Sequence, residues 1–263
     1  MTDVSDLKLR VTVAPEKPFA DRASLIGANG TGKSTLANFL IHHFRNDYGE
    51  KHRPRILVLD TKPRWRAQYL ADGTNAKRRY KKMTEGDIIP GSMALERLSD
   101  WDLVWDTDVN PSQIVIVQRI DGTQAGNVVF STIASEKFFK SQDARRPALI
   151  YFDEGMDFFH ASASARGGTD IIQRCYRAGR EKRLATMLGA QRPVGINLQI
   201  LTEMSYCALF RINFQKDVRR LYEMGWPIGT MPPGYNDPPG TFRLWRDITG
   251  YEAPKYRLAK EVA

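Results

Sequence analysis

Hydrophobic positions in this chain gather into short unbroken runs more often than into alternations. Ala23-Ser24-Leu25-Ile26, Arg55-Ile56-Leu57-Val58-Leu59, Ile114-Val115-Ile116-Val117, Ala148-Leu149-Ile150-Tyr151-Phe152, Leu184 to Ala190 and Cys207 to Ile212 are too short for helices and read as core strands. A strand that is apolar at every position is covered on both faces, which predicts a mostly parallel α/β sheet between helical layers. Helical spacing stands between the runs. Leu36, Phe39, Leu40, His43 and Phe44 repeat up to a stop at Gly49. Asn127 to Lys140 is helix-compatible, with Val129, Ile133 and Phe138 read onto one side. Thr169 to Lys182 and Gln215 to Met224 are further helices. Leu7, Leu9, Val11 and Val13 alternate with polar residues, as in a half-buried strand.

Other stretches are less regular. Residues 62–113 form an irregular insertion, in which Trp101 and Trp105 read as packing residues. Phe159 to Gly168 has loop composition. The tail from Gly225 carries Pro227, Pro232, Pro233, Pro238 and Pro239, which oppose helix. Thr241 to Trp245 and Tyr256 to Leu258 suit an edge hairpin. There is no internal repeat, and residues 1–263 are expected to form a single domain with that insertion and tail.

Composition narrows the partners. A net charge of +9 favours a polyanion, most simply nucleic acid. Lys77-Arg78-Arg79-Tyr80-Lys81-Lys82 is a basic cluster that either tracks phosphates or is a solvated face. Cys175 and Cys207 lack metal-like spacing and imply a reducing compartment. Asp3, Asp6, Lys8, Arg10 and Glu16 interrupt any signal-peptide core. The uncharged run Gly122 to Ser135 is too polar to span a membrane, so a cytoplasmic location is expected.

The candidate chemistry centres on Gly27-Ala28-Asn29-Gly30-Thr31-Gly32-Lys33-Ser34-Thr35, which matches the P-loop pattern between a strand and a helix. Its glycines let successive N–H groups turn inward around phosphate, so Asn29, Gly30, Thr31, Gly32, Lys33, Ser34 and Thr35 are the expected nucleotide contacts. Lys33 reaches the β/γ-phosphates, and the Ser34 hydroxyl can ligate Mg²⁺. The Ala148–Phe152 run delivers Asp153 and Glu154 at a strand end. Asp153 is expected on the Mg²⁺ shell and Glu154 on the attacking water. Gln191, after the Leu184–Ala190 run, can place an amide beside the γ-phosphate. Arg174, Arg177, Arg180 and Arg183 recur at i, i+3, which is expected to put neighbouring pairs close on the surface.

These pieces together resemble the FtsK–HerA superfamily of DNA-pumping P-loop ATPases, and within it the genome-packaging ATPases of viruses and phages. The resemblance rests on the P-loop, Val58-Leu59-Asp60-Thr61-Lys62, Asp153-Glu154, the arginine-rich helix, Gly189-Ala190-Gln191-Arg192-Pro193, Phe210-Arg211-Ile212 with Asp217-Val218-Arg219-Arg220, and Pro232-Pro233-Gly234. It covers most of the chain except residues 62–113, whose DNA contacts do not carry over. It implies a RecA/ASCE-like sheet, ATP and Mg²⁺ as cofactors, double-stranded DNA as partner, and a homo-oligomeric, hexameric ring. It also implies an arginine finger acting across subunits, best matched by Arg180, with Arg177 next. The expected function is genome packaging into a capsid, with capsid-vertex or portal proteins as further partners, in the host cytoplasm or at the packaging vertex. The rival readings are a cellular HerA-like or conjugative DNA pump, a small-molecule kinase, and a non-catalytic nucleotide-gated DNA-binding protein.

Overall fold

In a computed structural model, the structure describes Val4 and residues 7–11, 20–62, 65–76, 88–118, 122–160, 170–226, 231–246 and 255–257. The basic cluster at 77–82, the loop at 161–168, Val13, Pro227, Leu258 and the side chain of Arg177 lie outside the described residues.

The elements run β1 (Arg22–Ile26), α1 (Lys33–His52), β2 (Arg55–Leu59), β3 (Arg66–Tyr69), β4 (Ile88–Leu95), α2 (Trp101–Val104), β5 (Ile114–Val117), α3 (Gln124–Ser141), β6 (Ala148–Phe152) and α4 (Gly155–Phe158). There follow α5 (Asp170–Ala178), a 3₁₀ turn (Gly179–Lys182), β7 (Leu184–Ala190), α6 (Leu198–Thr202), β8 (Tyr206–Leu209), α7 (Gln215–Glu223), β9 (Thr241–Arg246) and β10 (Lys255–Arg257). The strands build one sheet in the order β10-β9-β8-β1-β7-β6-β2-β5-β4-β3. β3 to β8 all pair in parallel through β1 and β2, while β9 adds antiparallel to β8 and β10 to β9. Alternate strand residues feed two cores. Ile56 and Val58 pack with Leu36, Leu40 and Phe44 of α1, whereas Leu57 and Leu59 pack with Phe130, Ala134 and Phe138 of α3. Burying the strands on both sides explains why their sequences are unbroken apolar runs.

Four expectations change. Residues 62–113 are not only an irregular insertion, because they supply β3 and β4, which extend the sheet in parallel beyond β5. Leu7, Leu9 and Val11 are buried but form no strand among the described residues, only an isolated bridge from Val11 to Ala20. Val129 and Ile133 are exposed while Phe138 is buried. At 100° per residue Phe138 lies half a turn from Val129, so the three never shared a face.

The arginine-bearing helix also ends earlier than Lys182. α5 ends at Ala178, because a Cβ at Gly179 would stand 2.7 Å from the Leu184 carbonyl oxygen, and the backbone tightens to 3₁₀ there. Arg183 turns into the left-handed region at φ 51° and is buried, while Arg174 and Arg180 stay exposed. Gly49 does leave helical geometry, at φ 54° and ψ −167°, and the Arg53 N–H then caps the Gly49 carbonyl at 3.1 Å. Both cysteines are free and buried in α5 and β8; burial pushes the Cys175 thiol up to about 12 and raises that of Cys207 as well.

Candidate active site

The site forms where the parallel strands end. The P-loop joins β1 to α1 and is strapped on both sides. Gly27 N–H donates to the Ala190 carbonyl at 3.0 Å, at the end of β7, and Ala28 N–H to the Arg211 carbonyl at 2.8 Å, past the end of β8. A side chain at Gly27 would collide with Phe210, at 2.5 Å from its Cβ, so only glycine permits this close approach. Gly30 and Gly32 adopt φ 70° and 102°, the left-handed values that curl the loop. The Lys33 ammonium donates to the carbonyls of Gly27 at 2.7 Å and Ala28 at 2.8 Å, folding across the loop mouth. Thr31 Oγ1 donates to the Ala28 carbonyl at 2.8 Å. α1 has no acidic residue in its first turn, so its N-terminal amides face the loop without a competing carboxylate. Asn29 and Ser34 are exposed, and Thr35 is half-buried.

β7 stands between the P-loop strand β1 and β6. This order brings Gln191, Asp153 and Glu154 beside the loop from two strand ends. The contact between β7 and β6 is tight, since a Cβ at Gly189 would stand 2.7 Å from the Asp153 carbonyl oxygen and 2.9 Å from the Tyr151 hydroxyl. Both carboxylates are buried. The Tyr151 hydroxyl donates to Asp153 Oδ1 at 2.9 Å. Burial first, then the neighbouring Asp153 carboxylate, raises the Tyr151 phenol well above its ordinary value, so it stays a protonated donor.

Glu154 Oε2 accepts two hydrogen bonds, from Gln191 Nε2 at 3.1 Å and from the Lys62 ammonium at 3.0 Å. The structure thus unites two expected residues, Glu154 and Gln191, and adds a third that sequence reasoning treated only as part of a motif. Lys62 follows β2, the strand paired with β6. Its segment is held on both sides. Asp60 Oδ2 accepts the Trp65 N–H at 2.8 Å, and Thr61 Oγ1 donates to Asp157 Oδ2 at 2.6 Å. Gln191 is steadied from the far side, where Arg192 Nε meets the buried Asp217 Oδ2 at 3.1 Å, tying the end of β7 to α7.

Arg180 does not join this constellation. It precedes β7 whereas Gln191 follows it, so the two are separated by the strand's length, roughly 20 Å at ~3.3 Å per residue. Arg180 is exposed and makes no ion pair with a described residue.

A parallel sheet with a glycine loop at one strand end, and a carboxylate strand one place further off, defines the P-loop NTPase fold. Solved structures match it over nearly the whole chain. B204, described as the genome-packaging NTPase of Sulfolobus turreted icosahedral virus 2 and solved with AMP, is 15% identical over 89% of this chain and 93% of its own, with a TM-score of 0.53. The same protein solved with sulfate gives 15% identity, 89% and 92% coverage and a TM-score of 0.51. B204 of Sulfolobus turreted icosahedral virus, described as a DNA-packaging ATPase, gives 14%, 86% and 92%, and 0.50. No family model matches the chain, and no curated protein does. The chain therefore shares the α/β fold of these packaging NTPases, the fold that its motif resemblance implied.

Proposed function

We propose that this chain is an ATP-driven translocase of double-stranded DNA, working as a homo-oligomeric ring that packages a viral genome. The observation that carries the hydrolytic part is the Glu154–Gln191 contact one strand away from the P-loop. Lys33 and the inward amides of residues 29–35 hold the phosphates. Glu154 orients a water and takes its proton; Gln191 places its amide beside the same water. Magnesium fits this donor set, because the Ser34 hydroxyl and the Asp153 carboxylate offer hard oxygen ligands. No cluster of three or more His, Cys, Asp or Glu competes for a metal among the described residues. When bound, the ion would neutralise phosphate charge. Arg180 supplies the remaining positive charge from a neighbouring copy, since in its own chain it stands at the opposite end of β7.

The DNA reading is supported by the +9 charge and by the likeness to structures described as packaging enzymes. No helix among the described residues is long and apolar enough to cross a membrane. The test is duplex binding as a function of salt. A protein that neutralises six or more phosphates is expected to lose about a thousandfold in affinity between about 50 and 200 mM salt, whatever the base sequence. Fluorescence anisotropy with two unrelated duplexes reads this directly. Affinity that stays flat with salt contradicts phosphate tracking. ATP turnover indifferent to any nucleic acid favours a small-molecule kinase.

A further inference from the structure

The P-loop lies at the C-terminal ends of the parallel strands. At their other end, where β2 and β5 begin and α1 stops, there is a cavity of about 490 Å³. That volume is in the range of small-molecule sites. Arg45 and Arg53 line it from α1 and its C-cap, and Thr107, Asp108, Ser112 and Gln113 from the stretch before β5. None of its lining residues belongs to the hydrolytic site.

The wall is basic and uncompensated. Neither the Arg45 nor the Arg53 guanidinium makes an ion pair or hydrogen bond with a described residue. A Cβ at Gly91 would collide with Ser112 Oγ and stand 3.5 Å from Arg45 Nη1, so this hydroxyl and this guanidinium share one wall. Arg146 adds a third charge from behind. Its Nη2 donates to the Arg53 carbonyl at 2.7 Å and to Gln113 Oε1 at 3.3 Å. Burial first, then the charge of Arg53, lowers the Arg146 guanidinium from its ordinary value, as expected for like charges held together. The backbone of the wall is uncommon too. Arg53 and Gln113 take φ 41° and 53°, two of the three non-glycine residues in the left-handed region among those described. Such conformations persist only where the surroundings impose them, and Arg146 clamps both. Gln113 is pinned further, because its Nε2 donates to the Asn110 carbonyl at 2.8 Å and the Trp105 carbonyl at 3.2 Å. The cavity is thus built before any ligand arrives.

We infer that this cavity binds a sugar phosphate, with its phosphate on Arg45, Arg53 and Ser112 Oγ and its hydroxyls toward Thr107 and Asp108. A phosphate has three acceptor oxygens and nearly two charges to share between two guanidinium groups and a hydroxyl, whereas a single arginine already satisfies a carboxylate. The phosphate fills only part of the space, and the polar remainder suits a hydroxylated body. The inference stands apart from the P-loop reading. Because that loop is also expected to take phosphate, the test is run in the Lys33→Ala background. Titration calorimetry would follow ribose-5-phosphate, ribose, inorganic phosphate and a short DNA duplex. Ribose-5-phosphate is expected to bind, inorganic phosphate more weakly, and ribose not at all. Arg53 is exposed and Arg45 half-buried, so Arg53→Gln spares the core, and Arg45→Lys, which keeps the charge and loses the fork, serves beside Arg45→Gln. Each is expected to weaken ribose-5-phosphate about tenfold or more, the loss of a charge-assisted hydrogen bond. Lys216→Gln, at an exposed lysine of α7, should change nothing. No binding of ribose-5-phosphate, binding that the arginine variants leave intact, or equal binding of ribose would overturn the inference. Duplex binding that the arginine variants weaken, with no binding of ribose-5-phosphate, would overturn it also and give these arginines to the DNA backbone.

Discussion

Glu154→Gln is expected to bind ATP as the unaltered chain does and to hydrolyse it about 10²- to 10⁴-fold more slowly, the usual share of a positioned general base. The geometry allows such a clean split. Glu154 Oε2 accepts from Lys62 and Gln191, and an amide oxygen of the same shape can accept both bonds. What the amide cannot do is take a proton from water. Single-turnover hydrolysis alongside equilibrium nucleotide binding separates the two effects. Hydrolysis at the unaltered rate would mean that another group activates the water and that Glu154 is only the acceptor for Lys62 and Gln191.

Arg180→Ala is expected to lower turnover by about 10³-fold or more, the usual contribution of an arginine finger, with nucleotide binding kept. Its place before β7 puts it at the far end of that strand from its own Gln191, so any contribution to hydrolysis would have to be made at the site of another copy. Mixing tests this. Arg180→Ala and Lys33→Ala are each expected to be inactive alone. In a mixed ring some interfaces join an intact P-loop to an intact Arg180, and part of the activity returns. A mixture that assembles yet stays inactive excludes Arg180 as the finger and moves the assignment to Arg177.

The sequence was most informative where function is encoded over a few consecutive residues. The P-loop needs glycines at fixed places for its backbone, and those places survive as φ 70° at Gly30 and 102° at Gly32. Asp153 and Glu154 follow a run that is apolar at all five positions because it is buried at all five. Lys62 was harder to recognise as a site residue, since its partner Glu154 is 92 positions away and only the pairing of β2 with β6 joins them. β3 and β4 were obscured differently. β4 contains Pro90 and Gly91, which punctuate a strand, and β3 has only four residues, mostly half-exposed. The arginine repeat misled because i, i+3 spacing brings neighbouring side chains together only while the helix continues, and the close approach of Gly179 to Leu184 ends it before Arg180.

Hydrolysis at this site is expected to move the chain along duplex DNA. The most direct measurement is displacement of a third strand from a DNA triplex, with ATP and magnesium present. Steady ATP-dependent release is expected from the unaltered chain, and none from Glu154→Gln bound to the same DNA. Release that needs no ATP, or no release from a chain that hydrolyses ATP on that DNA, would contradict it.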